Sequence, residues 1–552
     1  MVNKHLIGKQ ILEIEINSSQ EAYAIQQKMS QLIWKELTPR MNTLFDTIVG
    51  EDQVVYFDSI KIDIGYINPN NLDPNKIINK IIELLEDKIR KGIPNISSKT
   101  DINHFKDNRY IDKRREYFNK QKEINKDTSL SKKQLQNQKD KGTLSNTYVN
   151  KTNDIDGKTP DKIASQPLRQ YYFNAWLYWL EKGTLPSYSI IPEDNWISLV
   201  LETLVLDTNA VTQLKTKIKN ITVALQRLVV QHTSEDLKSI VEIYTGFSQT
   251  EIIKFFKEIE TVFKQTSVTN ITSIPFRTLE IEMWKQILEI TILKTQKTDS
   301  ISLIKQAIQH LISGKVIDKK EWDQILNRII NTNKNRSFSV LKEIYKEETV
   351  TGINKQSTVN QYKKHTEAIM QQDAEEESSF PETEMESPQF FSNAGVVLLH
   401  PFLNSFFKKL GLLEGKNFKD DTAKSKAVIL LHFLATAEEH PREYEMVLPK
   451  FLCEMPANMP LDHTIQITKE EKKEANSLLQ AAITHWGALG STSPDGLREG
   501  FLIREGKLEK EQTGWRLLVE QKTLDILLDR LPWSISILKL PWMSEMLHVD
   551  WR

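Results

Sequence analysis

Apolar periodicity runs along most of this chain but fails twice, and the two gaps constrain what it can fold into. The first lies between about Lys91 and Gln166. From Asp101 to Pro160 there are 14 Lys/Arg and 9 Asp/Glu set among Asn, Gln, Ser and Thr. Such a segment buries too little apolar surface to offset its ordering entropy, and it reads as a solvated linker. The second gap, Thr349–Pro388, ends with seven acids in the fourteen positions from Asp373 to Glu386. Like charges at that density repel and favour an extended chain, either a hinge or an acidic docking tail. The 552 residues therefore parse as an α/β unit plus a helix (1–90), a polar linker (91–166), a helical spacer (167–348), an acidic linker (349–389) and an α+β docking domain (390–552).

The N-terminal segment switches period. Leu12, Ile14 and Ile16 alternate with polar neighbours, as a strand with one buried face does. Ser18 or Ser19 can then cap a helix whose apolar stripe runs Ile25, Met29, Leu32, Trp34, Leu37, Met41, Leu44 and Ile48. Alternation returns over Val55–Ile64, with Ile60, Ile62 and Ile64 on one face before Gly65. A further amphipathic helix is predicted over Lys76–Ile89. Two strands cannot support themselves in water, so this unit should pair with another strand or pack against a partner.

After the first gap, Tyr172, Trp176 and Trp179 fall at helical spacing and Glu181-Lys182-Gly183 supplies a C-cap. The turn Thr184-Leu185-Pro186 follows, and a new helix starts near Glu193–Trp196. Ile301–Ile312, Ser313-Gly314, Val316 and Trp322 repeat that layout loosely. Helix pairs stacked as a quasi-solenoid fit the pattern, as does irregular helical packing. The expected fold class is thus mainly α and multidomain.

The last segment is the richest in aromatic and aliphatic residues. Val397, Leu399, Phe402, Phe406 and Phe407 stripe a helix broken or kinked near Pro401, with further helices over Ala427–Ala437 and Glu474–His485. Ser493-Pro494-Asp495 is a helix start, and Gly506 is expected to close that helix. Trp515, Leu517 and Val519 alternate as a strand, and Ile535, Ile537 and Leu538 suit a second one.

Several classes of chemistry lack the residues they need. The 73 basic and 74 acidic residues leave a charge of −1, against the basic excess that non-specific nucleic-acid binding favours. Cys453 is the single cysteine, so an internal disulfide and a thiolate cluster are excluded. No Gly-Lys-Ser/Thr phosphate loop, His-Glu-x-x-His or Gly-x-Ser-x-Gly occurs. His400, His432, His440, His463 and His485 match no compact metal spacing. Asp525 and Asp529, one helical turn apart, read as a salt-bridged boundary with Arg530 rather than a catalytic pair. No cofactor and no metal is expected.

Trp533, Trp542 and Trp551 recur every nine residues. They suit a packed core, or a docking patch to which Arg498, Arg504 and Arg530 add polar contacts.

Six runs of the C-terminal region form one set: Asn393-Ala394-Gly395-Val396-Val397-Leu398-Leu399-His400-Pro401-Phe402, Tyr444–Cys453, Leu497–Leu508, Asp525–Trp533, Leu540-Pro541-Trp542-Met543 and Val549-Asp550-Trp551. In these runs the chain resembles the tape-measure proteins of extracellular contractile injection systems, the phage-tail-like particles of the antifeeding-prophage and Photorhabdus virulence cassette type. A His5-led strand, Ile60–Gly65 and the Gly183–Pro186 turn fit the same family, although Ser187 and Tyr188 replace its usual bulky aromatic. The resemblance implies a structural protein that sets, initiates or organises the tube and sheath. Tube, baseplate or cap proteins would be its partners, with self-association possible and neither membrane insertion nor specific nucleic acid.

As one helix the chain would span on the order of 830 Å. Interrupting Pro, Gly and linker segments and the lack of sustained heptads argue against such a literal ruler. A chaperone or adaptor for cargo loading is the alternative. The N-terminus lacks a signal-peptide core, so synthesis and folding are expected in the cytoplasm, with the protein in or on an extracellular particle.

Overall fold

The computed structural model describes residues 10–15, 19–50, 52–66, 73–92, 163–187, 189–190, 196–264, 274–293, 299–332, 338–350, 388–512 and 514–551, with single positions beside them. The two segments read as linkers fall almost wholly outside the described residues. Helices predominate, as the periodicity predicts, and the chain divides into two compact units: residues 1–174 with 190–207, and residues 175–189 with 208–552.

In the first unit Ser19–Leu32 and Thr38–Ile48 are α-helical and are joined by a π turn over Ile33–Leu37. The Thr38 N–H donates to the Ile33 carbonyl five residues back, and its hydroxyl donates to the same oxygen at 3.1 Å. The extra residue is thereby absorbed without breaking the helix. The stripe from Ile25 to Ile48 is carried on one continuous helical run. Leu44 meets Leu85 and Ile89 of the helix Pro74–Gly92, with Phe45, Val55, Phe57, Ile60 and Ile62 around them.

Strand pairing in this unit differs from the sequence reading. β1 is Gln53–Phe57, and it pairs antiparallel with β2, Ile163–Pro167, from the far side of the first gap. Residues 11–15 are exposed and form no strand, and residues 60–64 keep Ile60 and Ile62 on the core without a ladder. Alternation fixes which side chains face inward but leaves the hydrogen-bonding partner open, so the two alternating segments did not have to find each other.

The second unit holds eight consecutive helices between Thr208 and Val350 among the described residues, from Thr208–Asn220 to Ser339–Val350. Local chemistry sets their ends. Thr233 and Asp236 form a capping box at Ser234–Thr245, and that helix stops at Gly246 in the left-handed region. Buried Glu258 accepts from the N–H groups of Ser339, Val340 and Leu341 at 2.9, 3.3 and 3.0 Å. A carboxylate thus caps the helix Ser339–Val350, at the end where its dipole favours negative charge. At Ser300–Ser313 the left-handed residue is Lys315 (φ 58°), one past the expected Gly314.

The C-terminal part of this unit wraps helices around a mixed sheet. A 3-10 turn, Ala394–Leu399, leads into the helix His400–Lys409. Pro401 sits in its first turn, so the helical stripe is broken there, the 3-10 turn giving way to an α-helix, and is not kinked. The helices Asp421–Thr436 and Lys469–His485 follow the two predicted stretches. Ser493 caps Pro494–Leu497, which continues as a π turn to Leu502.

β3 is Gln389–Phe391, and a short hairpin, Leu413–Glu414 with Asn417–Phe418, supplies β4 and β5. Gly506 opens β6, Gly506–Glu511, instead of closing a helix. It is glycine because a β-carbon there would overlap those of neighbouring side chains, Ala394 first. β7 is Gly514–Val519, β8 Ile537–Leu538 and β9 Leu547–Asp550, and the sheet runs β3-β6-β7-β9-β8 with only β7 and β9 parallel. Trp515, Leu517 and Val519 alternate into the core as predicted.

Candidate functional site

Two buried carboxylates organise the second unit. Glu443 is fully enclosed and receives Arg227 Nε at 2.8 Å and Lys450 Nζ at 2.6 Å. The remaining donors of these cations end on backbone oxygens: Arg227 on Leu180 and Asn458, and Lys450 on Ala457 (3.0 Å) and Met459 (2.8 Å). Three ions out of water are tolerated only with this degree of pairing. Gly183 completes the arrangement, because its backbone runs against Ala457 where a β-carbon would meet both the Ala457 carbonyl and Arg227. Nearby, Arg277 grips Asp462 through Nε (2.9 Å) and Nη2 (2.8 Å). Burial works against the charged carboxyl, yet the Arg277 contacts hold Asp462 below its ordinary range.

The second carboxylate is Asp525, within the 3-10 helix Thr523–Arg530. It accepts from Arg504 Nη2 at 2.9 Å, from Trp551 Nε1 at 3.2 Å and from the Lys522 N–H at 2.8 Å. A 3-10 helix repeats every three residues, so Asp529 does not share the face of Asp525. Asp525 is buried while Asp529 and Arg530 are exposed, and the partner of Asp525 is Arg504, not the Arg530 expected from sequence.

The six residues singled out for docking occupy different settings. Arg504 and Trp551 come together on Asp525, and both are buried. Trp542 is buried against Phe407 and Phe418 and donates to the Leu452 carbonyl at 2.8 Å. Trp533 is half-buried, edge-on to Phe402, and donates to the Leu398 carbonyl at 3.0 Å. Arg498 is buried elsewhere, bound to the Leu434 carbonyl, Asp495 and Asn476 and lying over the Phe433 ring. Arg530 reaches solvent.

On either side of Asp525, Leu524 (52% exposed) and Ile526 (68%) point outward, and the Leu524 methyl lies over Gly500. Sequence reasoning missed both, because in a run of Leu and Ile nothing marks which members face water. The alternation apolar–Asp–apolar was the one available signal.

Among the described residues, one trio, His432, Glu438 and Glu445, is close enough to share a metal ion. Asn393 decides its chemistry. Its Nδ2 donates to the Glu445 carbonyl at 3.0 Å and to His432 Nδ1 at 3.1 Å. His432 Nδ1 is therefore an acceptor, and the ring proton sits on Nε2, facing Glu438 at 3.4 Å. A metal would need that nitrogen bare, so the trio reads as a polar latch. Burial raises the Glu445 carboxyl above its ordinary range.

Arg227, Lys450, Arg277 and Trp551 at these centres all donate to other parts of the same chain. A family model for the contractile injection system tape measure protein matches residues 4–551. The chain belongs to that family. The tape-measure match extends the sequence resemblance from the C-terminal third to nearly the whole chain, and this family is structural, not enzymatic. No curated protein and no solved structure matches. No helix among the described residues is long and apolar enough to cross a membrane.

Proposed function

We propose that this tape-measure protein works as a folded assembly platform, whose C-terminal body docks on tube, baseplate or cap proteins while particle length is being set. The observation that carries this reading is the Arg227–Glu443–Lys450 centre. It fastens the helices after Thr208 to the C-terminal body, so that stretch is not a free helical ruler. The exposed pair Leu524 and Ile526, with Arg530 beside them, forms the docking surface, and Arg504 and Trp551 hold it in place through Asp525. Exposed apolar side chains on a rigid base suit an interface, because little conformational entropy is lost on contact.

Deleting the gene and measuring particles by electron microscopy tests the role. Absent particles or altered lengths are expected, and normal particles of normal length would remove the proposal. For the surface, full-length protein carrying Leu524→Asp and Ile526→Asp should fold normally yet lose capture of tube or baseplate proteins. The rival chaperone or adaptor reading predicts stable capture of a cargo protein instead.

A further inference from the structure

The first unit contains two segments of matching character that lie outside any ladder. Residues 60–64 run extended after β1, with Ile60 and Ile62 on the core, and their backbone groups pair with no described strand. That edge is basic. Lys61 is exposed on it, Lys88 Nζ binds the Lys61 carbonyl, and Lys80 Nζ binds the Ile64 carbonyl at 2.8 Å. The complementary element is residues 11–15, in which Leu12 and Ile14 alternate with Glu13 and Glu15 and every residue is exposed. Ile11, Leu12 and Ile14 show 67, 40 and 39% of their surface to water. Upstream, His5 is pinned to Asp46 at 2.8 Å and edge-on to Phe45, so the segment projects from a fixed point.

We infer that residues 11–15 of one copy add as a strand to residues 60–64 of a second copy, so that the tape-measure protein assembles by reciprocal strand exchange. Within one chain each segment has strand alternation and neither is in a ladder. Pairing across copies gives both backbones a ladder partner and covers Leu12 and Ile14. It also sets Glu13 and Glu15 along the Lys61, Lys80 and Lys88 edge, where opposite charges favour one register. Because each copy offers both halves, the exchange closes as a two-fold dimer. Anchoring at His5 limits the entropy lost when the strand docks.

Sedimentation velocity on the full chain tests this. The wild type should form a dimer, and Glu13→Lys with Glu15→Lys should weaken it at least tenfold, since both positions are exposed and the fold is untouched. Ile14→Pro, which removes a ladder N–H, should do the same. In a second measurement, differently tagged chains carrying Glu13→Cys or Lys61→Cys are mixed with a short bis-maleimide. A cross-link joining both tags is expected, and buried Cys453 does not compete. A monomer at tens of micromolar, a dimer indifferent to the charge reversal, or a cross-link formed only inside a chain carrying both cysteines would overturn the inference.

Discussion

Gly183 and Ala457 lie in backbone contact, although 274 positions separate them in the chain. Gly183 ends the helix Leu168–Lys182 in the left-handed region (φ 75°), and a β-carbon there would sit 2.8 Å from Arg227 Nη2 and closer still to the Ala457 carbonyl oxygen. Conformation and space therefore both require glycine at this position. Gly183→Ala should cost roughly 2–5 kcal/mol, the sum of left-handed strain and overpacking. Gly246→Ala is the control, since Gly246 has nearly the same φ (74°) and open space around it. It should lose only about 1–2 kcal/mol. Urea unfolding of the two variants checks the difference, and equal losses would mean that the contact with Ala457 is not tight.

The Glu443 centre should respond sharply to losing one member. Glu443→Ala leaves Arg227 and Lys450 as buried cations without the carboxylate they share, at a cost of roughly 3–5 kcal/mol. Chemical denaturation followed by tryptophan fluorescence measures it.

Asp525 gives a graded series. Asp525→Ala strands Arg504, whose Nε and Nη1 have no partner among the described residues, and should cost roughly 3–5 kcal/mol. Trp551→Phe removes the indole donor and some ring volume but leaves Arg504 paired, and the lost bond to a charged group should cost roughly 1.5–3 kcal/mol. Thermal melts that rank the two in the opposite order would contradict the role given to Asp525.

Acid and neutral pH should probe different carboxyls. The folded-state pKa of Asp462 is depressed, so its pairing with Arg277 contributes stability above about pH 4 that is lost as pH falls through the folded pKa. Asp462→Asn should therefore flatten the acid limb of the stability profile. Burial raises Glu445, so its contribution is full below the unfolded pKa and declines as pH rises through the folded one. Glu445→Gln should accordingly gain stability relative to wild type at pH 7 but not at pH 4, as urea midpoints at both values would reveal.

Cys453 is buried and its thiol is pushed well above the usual range by desolvation. A thiol reagent should label it only as fast as the C-terminal body unfolds. Fast labelling of native protein would show that this body opens locally.

Much of the architecture was legible because it rests on local pattern. The stripe from Ile25 to Ile48, the caps at Ser493 and Gly183 and the alternation of Trp515, Leu517 and Val519 each reflect chemistry within a few residues. Boundaries that depended on distant neighbours were misread. Gly506 looked like a helix stop, but the Ala394 side chain is what forbids a β-carbon there. Asp525 looked like half of an i, i+4 pair until the 3-10 geometry turned Asp529 away.

The candidate surface was legible only in part. Tryptophans and arginines drew attention by residue type, yet Arg504, Trp542 and Trp551 are buried inside the fold, and Leu524 and Ile526 are among the apolar residues that reach water. Residue type predicts what a side chain can do but not which way it faces.

By itself the sequence determined the helical class, the two polar gaps, the lack of a redox or phosphate-binding motif and the family, because each is written in short-range pattern or composition. Tertiary structure alone decided that Arg227 meets Glu443 across 216 positions, that β1 pairs across the first gap and that Asp525 faces inward. The physical reason is that burying a charge or closing a ladder depends on which distant groups arrive to complete it, and no local periodicity encodes that arrival.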